Sequence, residues 1–580
     1  MGDHGYWTGA RSSVSRRRFL GSSLAAGAGL AGAALIGCGS SGGDKPSGGG
    51  SSGGGAAAPS GPTVSTITGN NWANREPNGV PKMGGTLNWA PGSPTLANLD
   101  PLTSTSAMVH QVAMPAYGTL MHIGRDPKER NSPWQYFPEL ATKWETTDPL
   151  KMVFTLREGV KFHNVAPVNG RAFTSEDAKY ALNRAATEKA SLFKGAFSAI
   201  KSIETPDPKT VVLNLSRFDP LLMPQLGGHF AWMTPKEVVD ANKIREQIIG
   251  TGPFVFQKWE ADSRVSYKKN PDFYVKGAPF VDELNWFIIN DENTRTASFQ
   301  SGQTNIGDIP ESGIDAVKAD KKFVVEDYLR VQPYTLFMNY KEDRWKDERV
   351  RKAVALALDT NVLLKTMQNG HGLWRGIVSN QHGGWTLSQD ELKSKKYYLR
   401  QDIAEAKQLM AAAGKPDGIA ASLLYVSNYP QAYQDSVQYI AQQLKTNKIV
   451  DVKLDGKELA TMRKGQDEHT YDGLALGLDG QGAPESFLLD YRTGGPKNGS
   501  GLADKEIDAS IDKVTSIIDV KERQAAVKAW TDGMLQKVMY KIEFVDGMNY
   551  TAWSKDVKNF VDGPPFWYQS GHAYTWIDKA

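Results

Sequence analysis

From Lys82 onward the sequence switches repeatedly between two periodicities, and that alternation constrains the fold more than any single residue does. The run Gly85-Thr86-Leu87-Asn88-Trp89-Ala90 alternates with a period of two and ends at a Pro-Gly turn, which predicts a strand. Met152–Leu156 and Thr210–Leu215 repeat that signal. Between them, Thr174 can cap backbone N–H groups with Asp177 three residues on, while Ala178, Ala181, Leu182 and Ala185 share one helical face. A second helix is predicted after Asp347, a suitable N-cap, with Val350, Ala353, Val354 and Ala357 turned inward. Interleaved strands and helices place the chain in the mixed α/β class. With 580 residues and 40% hydrophobic side chains it can bury more than one core, so about two to four lobes are expected.

Charge narrows the partners. Lys and Arg total 67 against 64 Asp and Glu, and the excess lies in residues 1–37, which hold Arg11, Arg16, Arg17 and Arg18 against Asp3. The remainder balances at 63 against 63, so nothing in composition points to nucleic acid. One cysteine, Cys38, rules out an internal disulfide.

The segment before Cys38 has the order of an export signal: basic residues, then an apolar stretch dominated by Ala, Gly and Leu, then small residues. Ser15-Arg16-Arg17-Arg18-Phe19-Leu20 resembles the twin-arginine export consensus, with Arg16 and Arg17 as the pair, and Leu35-Ile36-Gly37-Cys38 resembles a lipobox, which implies a lipidated Cys38. Residues 39–61 hold ten Gly and six Ser and cannot bury enough apolar surface to fold. As a flexible tether they would reach roughly 25 Å. The expected division is 1–37 signal peptide and 38–82 lipidated tether, which puts the body outside the cytoplasm, on the outer face of the cytoplasmic membrane or in the periplasm.

Several stretches of the body share a further likeness. Gly85 to Leu87, Leu156-Arg157-Glu158-Gly159-Val160-Lys161-Phe162-His163, Phe173–Asp177, Gly250-Thr251-Gly252-Pro253-Phe254, Tyr267–Tyr274, Phe337-Met338-Asn339-Tyr340 and Asp347–Ala353 resemble, in order, segments of the family 5 extracellular solute-binding proteins, the oligopeptide and dipeptide binders of ABC importers. Read physically, these stretches are scaffold: Gly250 and Gly252 are expected to permit backbone angles closed to other residues, and Asn270-Pro271-Asp272 is turn chemistry. The resemblance implies a periplasmic-binding-protein-like class II clamp of two lobes with an additional inserted lobe. Lobe I would comprise 83–118, 231–332 and 544–580, the inserted lobe II 119–230, and lobe III 333–543, with hinges near Gln332-Pro333 and Glu543-Phe544.

Candidate solute contacts come from the same likeness. The glycine-rich segment around His371, Trp374, Arg375 and Trp385 corresponds to a cleft-lining stretch, and paired tryptophans beside hydrogen-bonding groups suit an extended solute. Ser93, at the end of the first strand, and Asn339 are further candidates. In peptide-binding relatives an aspartate ahead of a Pro-x-Ser-Phe-Leu tail pairs with the peptide's ammonium group. The tail is matched by Pro484–Leu488, but the acidic position falls on Gly480, and Asp479 stands one residue early. A peptide-like solute is therefore expected, with an oligosaccharide, opine or metal chelate as the alternative.

An exported hydrolase is the rival from another class. The chain contains no H-E-x-x-H, C-x-x-C or P-loop pattern and, outside the Gly/Ser tract 39–61, no G-x-S-x-G elbow, and its nine histidines never pair at i, i+4. No catalytic residue, metal or cofactor is expected. Without a P-loop the chain cannot bind ATP in that way, so the permease and ATPase of an importer would be separate chains, served by a monomeric, lipid-anchored receptor.

Overall fold

Strand Thr86–Ala90 lies near the middle of a seven-stranded sheet whose order is Phe323–Leu329, Met548–Ser554, Ile306–Ile309, Thr86–Ala90, Glu283–Phe287, Arg264–Lys269 and Phe254–Glu260. Its two neighbours run parallel to it, and the outer pairs are antiparallel. The computed structural model describes residues 80–578 except 93–95, 105, 125–134, 330–333, 397, 399, 430, 479–481, 496, 538–540 and 561–570. Arg16, Arg17, Cys38, the tether, Ser93, Gln332-Pro333 and Asp479 lie outside the described residues.

Two large hydrophobic cores divide the body. The first covers one face of the seven-stranded sheet through Leu87, Tyr267, Leu284 and Trp286, and continues without a break into Trp144, Phe154, Val211 and Leu213 of an antiparallel four-stranded sheet built from residues 141–215. The segment 119–230 therefore shares its core with the residues that flank it. A small cluster of Phe299, Ile309, Ile314, Val317, Tyr550 and Ala552 lies on the other side of the large sheet. That cluster covers the parallel centre at Ile309, while the two neighbouring parallel strands carry Asn88 and Asn285 on this side, where Asn285 Nδ2 donates to Asn88 Oδ1 at 3.0 Å.

The second core contains only residues between Tyr334 and Val545. It surrounds a five-stranded sheet in the order Val450–Lys457, Ile419–Val426, Gly473–Leu478, Tyr334–Met338, Lys541–Glu543. Helix Gln431–Thr446 connects the first two strands, which are parallel, and buries Tyr433, Val437, Ile440 and Leu444 at the spacing of one helical face.

Both helices foreseen from periodicity form. In Ser175–Thr187, Asp177 Oδ2 accepts from the Thr174 N–H at 2.9 Å, and Ala178, Ala181, Leu182 and Ala185 are buried. In Glu348–Leu356, Asp347 Oδ1 accepts from the Arg349 N–H at 2.9 Å, above buried Val350, Ala353 and Val354.

The scaffold stretches converge on one node. His163 Nε2 donates to the Gly252 carbonyl at 3.0 Å, Asn270 Nδ2 donates to the same oxygen at 3.0 Å, and Gly252 N donates to Ala116 O at 2.8 Å. The glycines are needed for close approach and not, as expected, for unusual angles. Neither has a positive φ, but a Cβ on Gly250 would sit 2.2 Å from Ala116 O, and one on Gly252 would sit 2.7 Å from Pro115 O.

Candidate functional site

The chain passes between the cores twice. The first passage, between Leu329 and Tyr334, lies in residues 330–333. In the second, Lys541–Glu543 still belongs to the five-stranded sheet, Phe544 and Val545 pack in the second core, and Met548 begins a strand of the seven-stranded sheet. The chain thus leaves the second core after Val545.

The glycine-rich segment meets this second passage. Leu373 and Trp374 pair antiparallel with Asp546 and Val545. Gly372, at φ 112°, makes the approach possible, because a Cβ there would lie 2.5 Å from Asp546 O. Arg375 follows, with no exposed surface. Its Nε donates to Glu543 Oε2 at 2.7 Å and its Nη1 to Asp546 Oδ1 at 2.6 Å, and its face lies 4.7 Å from the Phe487 ring centre. Burial alone would lower the Arg375 pKa, but the charges of Asp546 and Glu543 and their hydrogen bonds outweigh it and raise it. Asp546 Oδ2 also accepts from Asn380 N (2.7 Å) and Asn380 Nδ2 (2.8 Å). On the other side of Glu543, the buried Lys541 ammonium stands 3.2 Å from Glu543 and 3.4 Å from Asp490. Alternating charges run Asp490, Lys541, Glu543, Arg375, Asp546 along the passage. All three carboxylates are matched, as buried charges must be.

Arg375 is thus occupied by the fold and has no face left for a solute. Asn339 is likewise interior: its Nδ2 donates to Tyr471 O at 2.6 Å and His469 O at 3.1 Å, tying adjoining segments of the second body. The other described candidates are more open. His371 is half-exposed, with Nε2 3.7 Å from Glu311 Oε1 of the first body. Trp374 packs partly against the second core beneath the Lys393 ammonium. Trp385 ends a short helical turn over the same core, where the guanidinium carbon of Arg523 stands 6.0 Å from its ring centre. At the end of the first strand, Gly92 N donates to Asp308 Oδ2 at 2.8 Å, beside the position of Ser93. Among the described residues no group of three or more His, Cys, Asp or Glu could hold a metal ion.

Two further residues carry no signal in the sequence. Arg523 Nε donates to Glu485 Oε1 at 2.7 Å, and both side chains are nearly buried. Glu485 lies inside the Pro484–Leu488 tail, but its partner is 38 residues on, in helix Val520–Lys537, and no local pattern marks it.

Comparison with known proteins supplies what geometry alone does not. The sequence model described as "Bacterial extracellular solute-binding proteins, family 5 Middle" matches residues 135–500. The chain is 25% identical over 415 residues to the dipeptide-binding protein DppE of Bacillus subtilis strain 168, covering 67% of this chain and 74% of that protein. Against heme-binding protein A of Haemophilus influenzae the identity is 24% over 464 residues, covering 74% and 82%. The solved structure of AgaA from A. tumefacien R10, in complex with agropinic acid, superposes with a TM-score of 0.69 at 26% identity, covering 86% of this chain and 99% of that one.

Proposed function

The chain belongs to the bacterial extracellular solute-binding proteins of family 5, and from that premise we propose that it captures a peptide-like solute between its two bodies and presents it to an ABC permease. The fold is the α/β two-lobe clamp of class II solute-binding proteins. The observation that carries the proposal is the pair of separate cores joined by two chain passages, an arrangement that can close and open around a solute. In this reading 83–118, 231–332 and 547–580 form one lobe, 119–230 an insertion on it, and 333–546 the facing lobe; the boundary expected at Glu543-Phe544 moves on because Phe544 and Val545 pack in the second core and Asp546 pairs with Leu373. His371, Trp374 and Trp385 are the described side chains proposed to meet solute, together with Ser93 and Asp479. Arg375 and Asn339 hold the facing lobe in shape.

Closure explains delivery if the permease binds the closed, loaded form better than the open one, since a partner shifts an equilibrium only by its differential affinity. No helix among the described residues is long and apolar enough to cross a membrane. Attachment is proposed through lipid on Cys38 after export directed by Arg16 and Arg17, and Cys38→Ala is expected to move the protein from the membrane fraction to the soluble one.

A peptide is favoured by the likeness to a dipeptide-binding protein. A second reading, a solute without a free amine, is favoured by Gly480 at the expected anchoring position and by the likeness to AgaA, solved in complex with agropinic acid. A thermal-shift panel of free-amine peptides, N-acetylated peptides, opines and oligosaccharides separates the two. Saturation at about 100 times Kd adds about 2.7 kcal/mol to stability. Stabilisation by free-amine peptides, weakened by Asp479→Ala, supports the first reading. Stabilisation by opines or oligosaccharides alone selects the second, and hydrolysis of a stabilising solute would point to an exported hydrolase.

A further inference from the structure

Arg523 sits where the two bodies touch. Its helix, Val520–Lys537, belongs to the second body, and that body fixes the guanidinium at three points. Nε donates to Glu485 Oε1 at 2.7 Å, and Nη1 donates to the carbonyls of Ile517 (2.6 Å) and Ile518 (3.0 Å). The guanidinium carbon lies over two rings from different bodies: Trp385 of the second, at 6.0 Å, and Phe218 of the first, at 5.8 Å from the carbon to the ring centre. Phe218 follows strand Thr210–Leu215 of the four-stranded sheet, the part of the chain that shares a core with the seven-stranded sheet. Tyr136, also of the first body, feels both members of the ion pair: burial raises its pKa, the Glu485 charge adds to the rise, and the Arg523 charge opposes it.

We propose that Arg523, oriented by Glu485, is the positioning residue through which segment 119–230 takes part in closing the clamp: Phe218 seats on its guanidinium face when the bodies meet and leaves it when they part. Three features fit a contact made and broken repeatedly. The ion pair is complete within one body, so opening leaves no buried charge without a partner. A ring on a guanidinium face requires no hydrogen bond to be exchanged at each cycle. Finally, segment 119–230 is joined rigidly to the first body, notably by the buried pair of Arg184 Nη2 with Asp100 Oδ2 at 2.7 Å, so Phe218 moves with that body's sheet. The insertion thereby acts as an arm of lobe I that reaches lobe III.

The inference rests on the clamp reading, and its test keeps the two apart. In the full chain carrying Cys38→Ser, dyes at the exposed positions Lys201 and Lys521 report the distance between the bodies by single-molecule energy transfer. The distance is read without solute and with a mixture of dipeptides to pentapeptides at millimolar concentration. Phe218→Ala is expected to lower the ratio of closed to open molecules about fivefold, from the usual strength of such contacts. Arg523→Lys, which keeps the charge and loses the planar face, should act in the same direction, with the melting temperature of both variants unchanged. An unchanged ratio under both conditions overturns the proposal, as does a wild-type protein that never closes, or a Phe218→Ala variant that melts earlier in proportion to its loss of closure. Failure of every peptide to bind would count against the peptide reading, while the solute-free ratio still decides the role of Arg523.

Discussion

Two arginine–glutamate pairs occupy this molecule in opposite ways. Arg375 and Glu543 lie wholly inside the passage between the cores, with Asp546, Asn380 and Lys541 completing the set, and none of the charged side chains is more than 3% exposed. Arg523 and Glu485 make the same 2.7 Å bond at the seam between bodies, and part of their cover comes from the far side. The first pair is a fastening within one body, the second a surface that a second body can meet. The difference teaches that a charge pair's role in a clamp depends on which side supplies its shield.

That contrast can be broken experimentally, beginning with the largest effect. Arg375→Met leaves Glu543 and Asp546 buried without their guanidinium partner and is expected to cost about 3–5 kcal/mol in denaturant unfolding. A loss below about 1 kcal/mol would mean that the passage is not fastened this way.

Next is acid, which strikes the first body. Burial lowers the pKa of His110, His122, His163 and His572 from an ordinary 6.5 to about 4, although hydrogen bonds to the Ser104 and Gly252 carbonyls partly oppose it for His110 and His163. Between those values the unfolded chain binds the extra proton, so stability is lost as pH falls from about 6.5 to about 4. The loss is at most about 3 kcal/mol for each group. Glu139 runs the other way: burial raises its pKa to about 8 against hydrogen bonds from Thr119, so stability is lost as pH rises from about 4.5 to about 8. Neither ring nitrogen of His572 has a hydrogen-bond partner among the described residues. His572→Phe should therefore flatten the acid limb of a stability–pH curve by one group's share, and an unaltered limb would exclude His572 as a contributor.

Gly250→Ala comes third. The new Cβ meets backbone, which cannot swing aside, and a loss of about 1–3 kcal/mol is expected by thermal unfolding. The smallest effect belongs to the seam: Glu311→Gln, facing half-exposed His371 across 3.7 Å, should change stability by less than about 1 kcal/mol. A larger loss there would erase the distinction between fastening and meeting surface.

Much of the fold could be read from the chain because its signals are local. The Thr174 and Asp347 caps, the apolar faces behind them and the strand at Thr86 depend on neighbours within about one turn or one pleat. The site was less legible. A tryptophan–arginine segment rich in glycine has the same pattern whether its arginine faces a solute or, as Arg375 does, carboxylates 168 and 171 residues ahead. The glycines of Gly250-Thr251-Gly252 were recognisable as special, but the reason, Ala116 and Pro115 lying against them, comes from a contact more than 130 residues away in the chain. Arg523 carried no signal at all, since its meaning depends on Phe218 arriving from the other body.

The most direct test of solute capture is native mass spectrometry of the mature protein purified from its own host. The account predicts a noncovalent small-molecule adduct that disappears on denaturation and whose isolated compound raises the melting temperature when added back. A protein of bare mass under all gentle conditions, unaffected in stability by extracts of its host's growth medium, would contradict it.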